Sequence, residues 1–551
     1  MAMITQDGNL HLEIQTTRKN PVGLLRTSFY DNGKTKHTQH GRITGCTLTQ
    51  LTLLQQAFRE NVVPADSPEA FQIVLSKEYG ASFVVHSMIK QTGLDKAIYS
   101  KPEPWVRSVL AMIMGRIVYA GSKLSLCHQQ ENSSLWEIAG IEGIVDVEKH
   151  CYLPLDKLLE RQSAIQKCLA KKHLSEGQLV LYDITSSYLE GEYNQSQLVE
   201  FGYNRDGKKG HEQIVIGLIC NKDGCPVGVE VFPGNTKDTS TVMDKIREIR
   251  EFYGIQKVIF VGDRGMCTKH NLEGLKSEKD FYVITALTRS DIQQLLDRKV
   301  IELELFDELN ICEVTDPDNP KNRYCLCRNP TRAEKDKKTQ GALLEKTRLK
   351  LEQIAAYKQS TTIEVLGSRI GKVLAQYHTG KYVVWRVEGD KSAKKSRCHK
   401  VIWEIDENVL AREQQLAGCY VITSTVQPED MATHEVVHSY KKLILVEKAF
   451  RNLKTVQLEI RPIYHKKDDR IRAHVFLCML AYYVQWHMQQ CLAPLTSQDK
   501  GKNRRWTFVN VIETLKQITR NKVTVAGAEF FKVSQPTPNQ GKILRLMKVA
   551  I

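Results

Sequence analysis

The stretch LVLYDITSSYLEG, Leu179–Gly191, begins as an apolar run suited to a buried β-strand and then sets a carboxylate, Asp183, among hydroxyls. Two readings of Asp183 are open. It caps a strand end, with Thr185 and Ser186 forming the turn, since Asp is common where a strand gives way to a turn. Alternatively it serves chemistry that needs further carboxylates, which must come from elsewhere in the chain.

The sequence downstream supplies one. HEQIVIGLICNKDGCPVGVEVFPGN, from His211, reads as two extended runs joined by Asp223-Gly224, a strong hairpin signal. A helical run, TSTVMDKIREIREFYG, follows from Thr239, and then a buried strand, KVIFVGDRG, from Lys257. Strand, hairpin, helix and strand predict an α/β mixed sheet in which Asp183 and Asp263 each close a strand. Open α/β sheets place ligands at such carboxyl ends.

Cleaving or joining phosphodiesters with two divalent metals needs several anionic oxygens, so a third carboxylate is sought. The candidate lies in SYKKLILVEKAFRNLK, Ser439–Lys454. Read as one helix, Leu443, Val446, Phe450 and Leu453 form a core-facing seam, with Tyr440, Glu447, Arg451 and Lys454 on a stripe beside it. Glu447 is then anchored at the border of a packed face. A glutamate among Lys and Arg on a helix is equally the pattern of a surface ion pair.

Composition bounds the possibilities. The chain has 551 residues, 42% hydrophobic and 26% charged, as expected of a globular protein of several domains. No apolar run reaches the roughly 18–20 residues that span a bilayer. The start lacks the apolar segment of a secretory signal, so a cytoplasmic location is the default expectation. The 14 cysteines form no CxxC pair, which argues against a zinc site and implies no disulfide framework.

The net charge is +15, concentrated in two segments. Residues 331–400 hold 17 Lys or Arg against 7 Asp or Glu, and 496–551 hold 11 against 3, giving +10 and +8 and leaving the remainder at −3. Basic charge so placed is the footprint of a polyanion partner; solvated lysine-rich helix faces are the plainer reading.

LYDITSSYLEG, GYNRDGKKGHEQIVIGL, GCPVGVEVFPGNTKDTST, VGDRGMCTKHNLEGL and YKKLILVEKAFRNLK, in that order, resemble the DDE transposases of bacterial insertion sequences, the group whose RNase H-like core is interrupted by a large β-rich insertion. AGSKLS at Ala120 and IRAHVFLCMLAYYV at Ile471 resemble that group's flanking helices. The resemblance implies an RNase H-like mixed five-stranded sheet with flanking helices and a large β-rich insertion; ahead of it, alternation over the first 45 residues reads as a β-hairpin, and the pattern from about Leu51 to Leu174 as helical. It implies catalytic, metal-holding roles for Asp183, Asp263 and Glu447, with two Mg²⁺ or Mn²⁺ ions. Tyr440 and Lys454 match the tyrosine and lysine of the family's Y-x2-R-x3-E-x6-K signature. With Arg451 and with Arg264, which follows Asp263, they are candidate DNA contacts. The signature arginine is Leu443 here. Either Lys441, Lys442 or Arg451 substitutes for it, or binding of the DNA end is weakened.

The implied activity is cleavage at insertion-sequence ends followed by attack of the freed 3′-OH on target DNA. The implied partners are double-stranded DNA, as inverted-repeat ends and target, and a second copy of the chain on DNA, in a nucleoid-associated setting. No GxxxxGK[ST] loop is present, since GSRIGKV has the wrong spacing, and no nucleotide cofactor is expected. The expected segmentation is a hairpin region over 1–50, a helical DNA-end-binding region over 51–175, core over 176–289 and 417–492, an insertion over 290–416, and a basic region over 493–551.

Further residues carry paired readings. Trp385 and Trp403 are core, or stack a flipped base. His211 caps a strand start, or approaches the metals. Asp238 reads as a helix N-cap. Two other functions stand beside transposition: an RNase H-like host nuclease that cuts without joining, and a domesticated, non-catalytic DNA-binding protein. Retention of all three acids argues against the last.

Overall fold

The computed structural model describes residues 10–551 except 17–19, 32–33, 61–70, 205–206, 208–209, 237–252, 265–279, 308–309, 357–360, 389–399, 457, 462, 498, 500–503 and 526–527. Two expectations, the helix from Thr239 and the Asp238 cap, fall outside the described residues. The chain divides into two compact units, one of Met1–Ile165, Asn452–Ile460 and His465–Ile551, the other of Gln166–Arg451 and Arg461–Tyr464.

The first unit gathers segments distant in sequence. Strands β1 (Leu10–Gln15), β2 (Val22–Asp31) and β3 (Lys34–Ile43) form an antiparallel sheet. β4 (Phe71–Glu78) pairs with β15 (Thr519–Val525), which pairs with β16 (Ala528–Val533), so N- and C-terminal segments share a second sheet. Its helical core is built on Pro104–Val118 and Asp468–Thr496, both apolar on nearly every side and correspondingly buried. Among the described residues no helix is long and apolar enough to cross a membrane.

The second unit is organised by one mixed sheet, ordered β10-β11-β14-β9-β8-β5-β6-β7. β5 (Leu179–Tyr188), β6 (Gln213–Asn221) and β7 (Pro226–Pro233) form an antiparallel meander. The β6–β7 turn is the predicted one: Asn221 Oδ1 accepts from the Asp223 and Cys225 N–H groups, and Gly224 takes φ +82°. β8 (Val258–Val261) runs parallel to β5, and β9 (Phe281–Ala286) parallel to β8. β5 and β6 are buried almost throughout, as strands covered on both faces must be.

The sheet has eight strands where five were expected. β14 (Cys419–Ser424) pairs with β9, and β11 (Asn319–Arg328) and β10 (Cys312–Asp316) follow it outward. These additions cover the polar edge that β9 would otherwise present. Two strands of the 290–416 range thus extend the main sheet. The rest of that range is largely helical, with Arg289–Asp297, Pro330–Ala355, Ile363–Tyr377 and Glu407–Gln415. A hairpin of β12 (Val383–Glu388) and β13 (Lys400–Ile405) packs with these helices around Leu351, Ile370 and Leu374.

Candidate active site

Asp183 does not end its strand. β5 continues to Tyr188, and Thr185 and Ser186 are buried strand residues rather than turn formers. The reason lies in unequal neighbours. β6 accompanies β5 from Val180 to Tyr188, whereas the parallel ladder with β8 covers only Leu179–Leu181 and ends at the couple Leu181–Val261. Asp183 therefore stands just where its parallel neighbour stops, at an open notch in the sheet. Its Oδ1 accepts the Ile184 N–H at 2.8 Å.

Carrying the Leu181–Val261 register two residues on brings Asp183 opposite Asp263, in the exposed loop that leaves β8. Neighbouring strands lie about 4.8 Å apart, so continuing that register would set the two residues side by side at the carboxyl end of β8.

The helix expected over Ser439–Lys454 is broken. One helix, Thr433–Lys441, ends where the Lys442 N–H bonds to His438 and Ser439 carbonyls, and another, Leu443–Arg451, begins immediately. A π-helical turn, Asn452–Val456, follows. Tyr440 and Glu447 thus lie on successive helices, not on one stripe. The apolar seam holds: Leu443, Val446, Phe450 and Leu453 are all buried. Val446 and Phe450 anchor the second helix, which packs against β5 and leaves Glu447 exposed.

Asp183, Asp263 and Glu447 line one cavity of about 970 Å³. Tyr440 and Arg264 line it too, and Tyr440 Oη donates to Asp263 Oδ1 at 3.4 Å. Leu443, at the signature arginine position, is buried in its wall, while Lys441 brings a cation to the same cavity. Neither Arg451 nor Lys454 is among the lining residues; Arg451 is exposed at its helix end, and Lys454 sits in the π-helical turn. Trp385 and Trp403 face each other across β12 and β13, with Trp403 against the Leu351 cluster, and neither lines the cavity. His211 lies against the Tyr188 ring, centroids 5.6 Å apart, and is likewise absent from the lining.

Arg289, Arg332, Lys335 and Lys381, with Asp336 and Glu413, also border the cavity. No sequence motif names these residues; Arg332, Lys335, Asp336 and Lys381 fall in the basic 331–400 segment, while Arg289 and Glu413 lie outside it.

A buried ion pair ties this assembly together. Arg323 on β11 binds Glu313 on β10 through Nε and a terminal nitrogen, both at 2.8 Å, and donates to the Val426 and Met431 carbonyls at 2.9 Å. Glu313 also accepts from Thr433 Oγ1, at the start of the Tyr440 helix. Its carboxyl is held below the usual range, chiefly by the Arg323 guanidinium.

As a donor set, three carboxylates on one cavity are hard oxygen ligands, which fit a divalent cation such as Mg²⁺. The family model described as the transposase DDE domain matches residues 175–484, more than half of the chain. A search of curated proteins finds no match.

Proposed function

The chain belongs to the transposases with a DDE domain, and from that premise we propose that it cleaves DNA at the ends of an insertion sequence and transfers the freed 3′-OH to target DNA. The observation that carries the reading is the convergence of Asp183, Asp263 and Glu447 on one cavity from a strand, a neighbouring strand end and an anchored helix. The strand order β7-β6-β5-β8-β9, with β5, β8 and β9 parallel, supports an RNase H-like core.

Asp183, Asp263 and Glu447 would hold two Mg²⁺ or Mn²⁺ ions, which supply electrostatic stabilisation to the entering and leaving oxygens of an in-line displacement. The protein's own part is positioning. β6 holds β5 rigid past Asp183, and the buried seam holds Glu447 at the sheet. Tyr440 orients the Asp263 carboxylate, and Arg264 and Lys441 supply positive charge for the scissile-strand phosphates. Arg451 and Lys454 are further phosphate contacts of the DNA, and the basic 493–551 region and the helical 51–175 region bind the DNA end. Synapsis of two ends calls for a dimer on DNA.

Labelled duplexes carrying the element's inverted repeats, incubated with Mg²⁺ and a target plasmid, test the reading. Strand-transfer products are expected, and Asp183→Ala, Asp263→Ala and Glu447→Ala should each abolish them without loss of fold. Cutting without joining would identify a nuclease instead. Full cleavage by Asp183→Ala would overturn the site.

A further inference from the structure

Another part of the cavity lining is basic, and its own acids neutralise part of that charge. Four cations line it: Arg289 at the start of the helix after β9, Arg332 and Lys335 in the first turns of the Pro330–Ala355 helix, and Lys381 just before β12. Two acids stand among them. Glu413, on the Glu407–Gln415 helix, pairs with both Arg289 and Lys381, the latter at 2.6 Å. Asp336 bridges Arg289 and Arg332, each at 3.9 Å.

The burial of these groups is unequal. Arg289, Arg332 and Lys381 are 49%, 72% and 50% exposed, whereas Glu413 and Asp336 are 21% and 34%. The cations are the more exposed groups, and the acids paired between them are the more buried. Each acid bridges two cations drawn from different elements, the geometry that a bridging phosphate would adopt. Four positive charges less two negative leave the wall at +2, when stripping both acids would leave +4. An approaching DNA backbone must therefore compete with Glu413 and Asp336 for the same guanidinium and ammonium groups.

Resting on the proposal that DNA enters this cavity, we infer that the wall is a phosphate-binding surface for the substrate strand, and that Glu413 and Asp336 are built-in phosphate mimics that occupy it when DNA is absent. The two acids set the affinity for DNA, keeping the wall from holding arbitrary sequence tightly. Substrate phosphates take over Arg289, Arg332 and Lys381 as the acids release them.

The test is equilibrium binding of a fluorescent random-sequence duplex, and of its single strand, to the full chain in EDTA across a salt series, so that no cleavage is required. Glu413→Gln and Asp336→Asn should each tighten binding by roughly two- to five-fold, the range of an exposed ion pair. Each should steepen the salt dependence by about one counterion per phosphate gained. Arg289→Ala should weaken binding and flatten the slope. Unchanged affinity and slope in both acid variants, or unchanged binding by Arg289→Ala, would overturn the inference. Two independent acid variants, each checked by its melting curve, keep the test decisive if one fails to fold. Cleavage by the unmodified chain is scored separately. Tightening without any cleavage would leave this wall standing and remove the transposase reading, while cleavage without tightening would do the reverse.

Discussion

Asp183, still within β5, and Asp263, in the loop that leaves β8, each lie two residues past the last couple of the parallel β5–β8 ladder, Leu181–Val261. Carboxylates gathered on one cavity repel each other, and Glu447 adds a third charge there to those of Asp183 and Asp263. A divalent cation bound there should stabilise the folded state by mass action, by about 2.7 kcal/mol at a hundred-fold excess over its dissociation constant. Millimolar Mg²⁺ should raise the melting temperature of the unmodified protein but not of Asp183→Asn/Asp263→Asn. An equal rise in both proteins would show that the stabilising ion sits elsewhere.

Gly224 ties the β6–β7 turn to the glutamate helix. It holds φ +82°, and a Cβ placed there would meet Leu445 Cβ at 2.8 Å. Gly224→Ala therefore combines left-handed backbone strain, about 1–3 kcal/mol, with a push on the helix that bears Glu447. Stability should fall by that order in chemical denaturation. DNA cleavage should fall with it at temperatures where the variant is fully folded. Full activity there would separate the turn from the placement of Glu447.

Arg323 is almost fully buried and holds Glu313 together with the Val426 and Met431 carbonyls. Removing it leaves a partly buried carboxylate and two carbonyls without their donor. Arg323→Ala should lose about 3–5 kcal/mol. The folded-state pKa of Glu313 lies below its unfolded value of about 4.3. Its contribution is therefore present above pH ~4.3 and lost as pH falls through the lower, folded value. Urea titrations between neutral and acid pH should show this loss in the unmodified protein and less of it in Glu313→Gln.

In the first unit, Lys123 is buried against His474 Nδ1, while His474 Nε2 donates to the Ile460 carbonyl. Burial, with Arg116 nearby, pulls Lys123 down to about 7. The unfolded chain, in which lysine titrates near 10.4, binds more protons between those values. Stability should therefore rise with pH from about 7 to 10. Lys123→Met should flatten that rise; a slope unchanged in the variant would assign it to other groups.

Local sequence signals marked several elements around the cavity. Hydrophobic runs, the Asp223-Gly224 turn and the spacing of the seam Leu443, Val446, Phe450 and Leu453 are written in residues a few positions apart, and these local signals marked the strands and the face on which Glu447 sits. What they could not carry was anything set by distant partners. β5 runs past Asp183 because β6 holds it where β8 does not. The single helix predicted through Glu447 breaks at Lys442, where i→i+3 hydrogen bonds tighten one helix end before the next begins. β14, β11 and β10 join the sheet because β9 leaves an edge to be covered.

The sequence by itself determined which side chains are capable of the chemistry: three carboxylates in strand, strand and helix contexts, in a chain whose basic charge is gathered in two segments. Only the tertiary structure decided that those carboxylates share one cavity, and that Glu413 and Asp336 pair with the cations on its lining. The β5–β8 register relates Asp183 to Asp263 across 80 positions, and ion pairs join Arg289 to Asp336 and Glu413 across 47 and 124; such contacts form only when non-local packing has overcome the entropy of closing the chain between them.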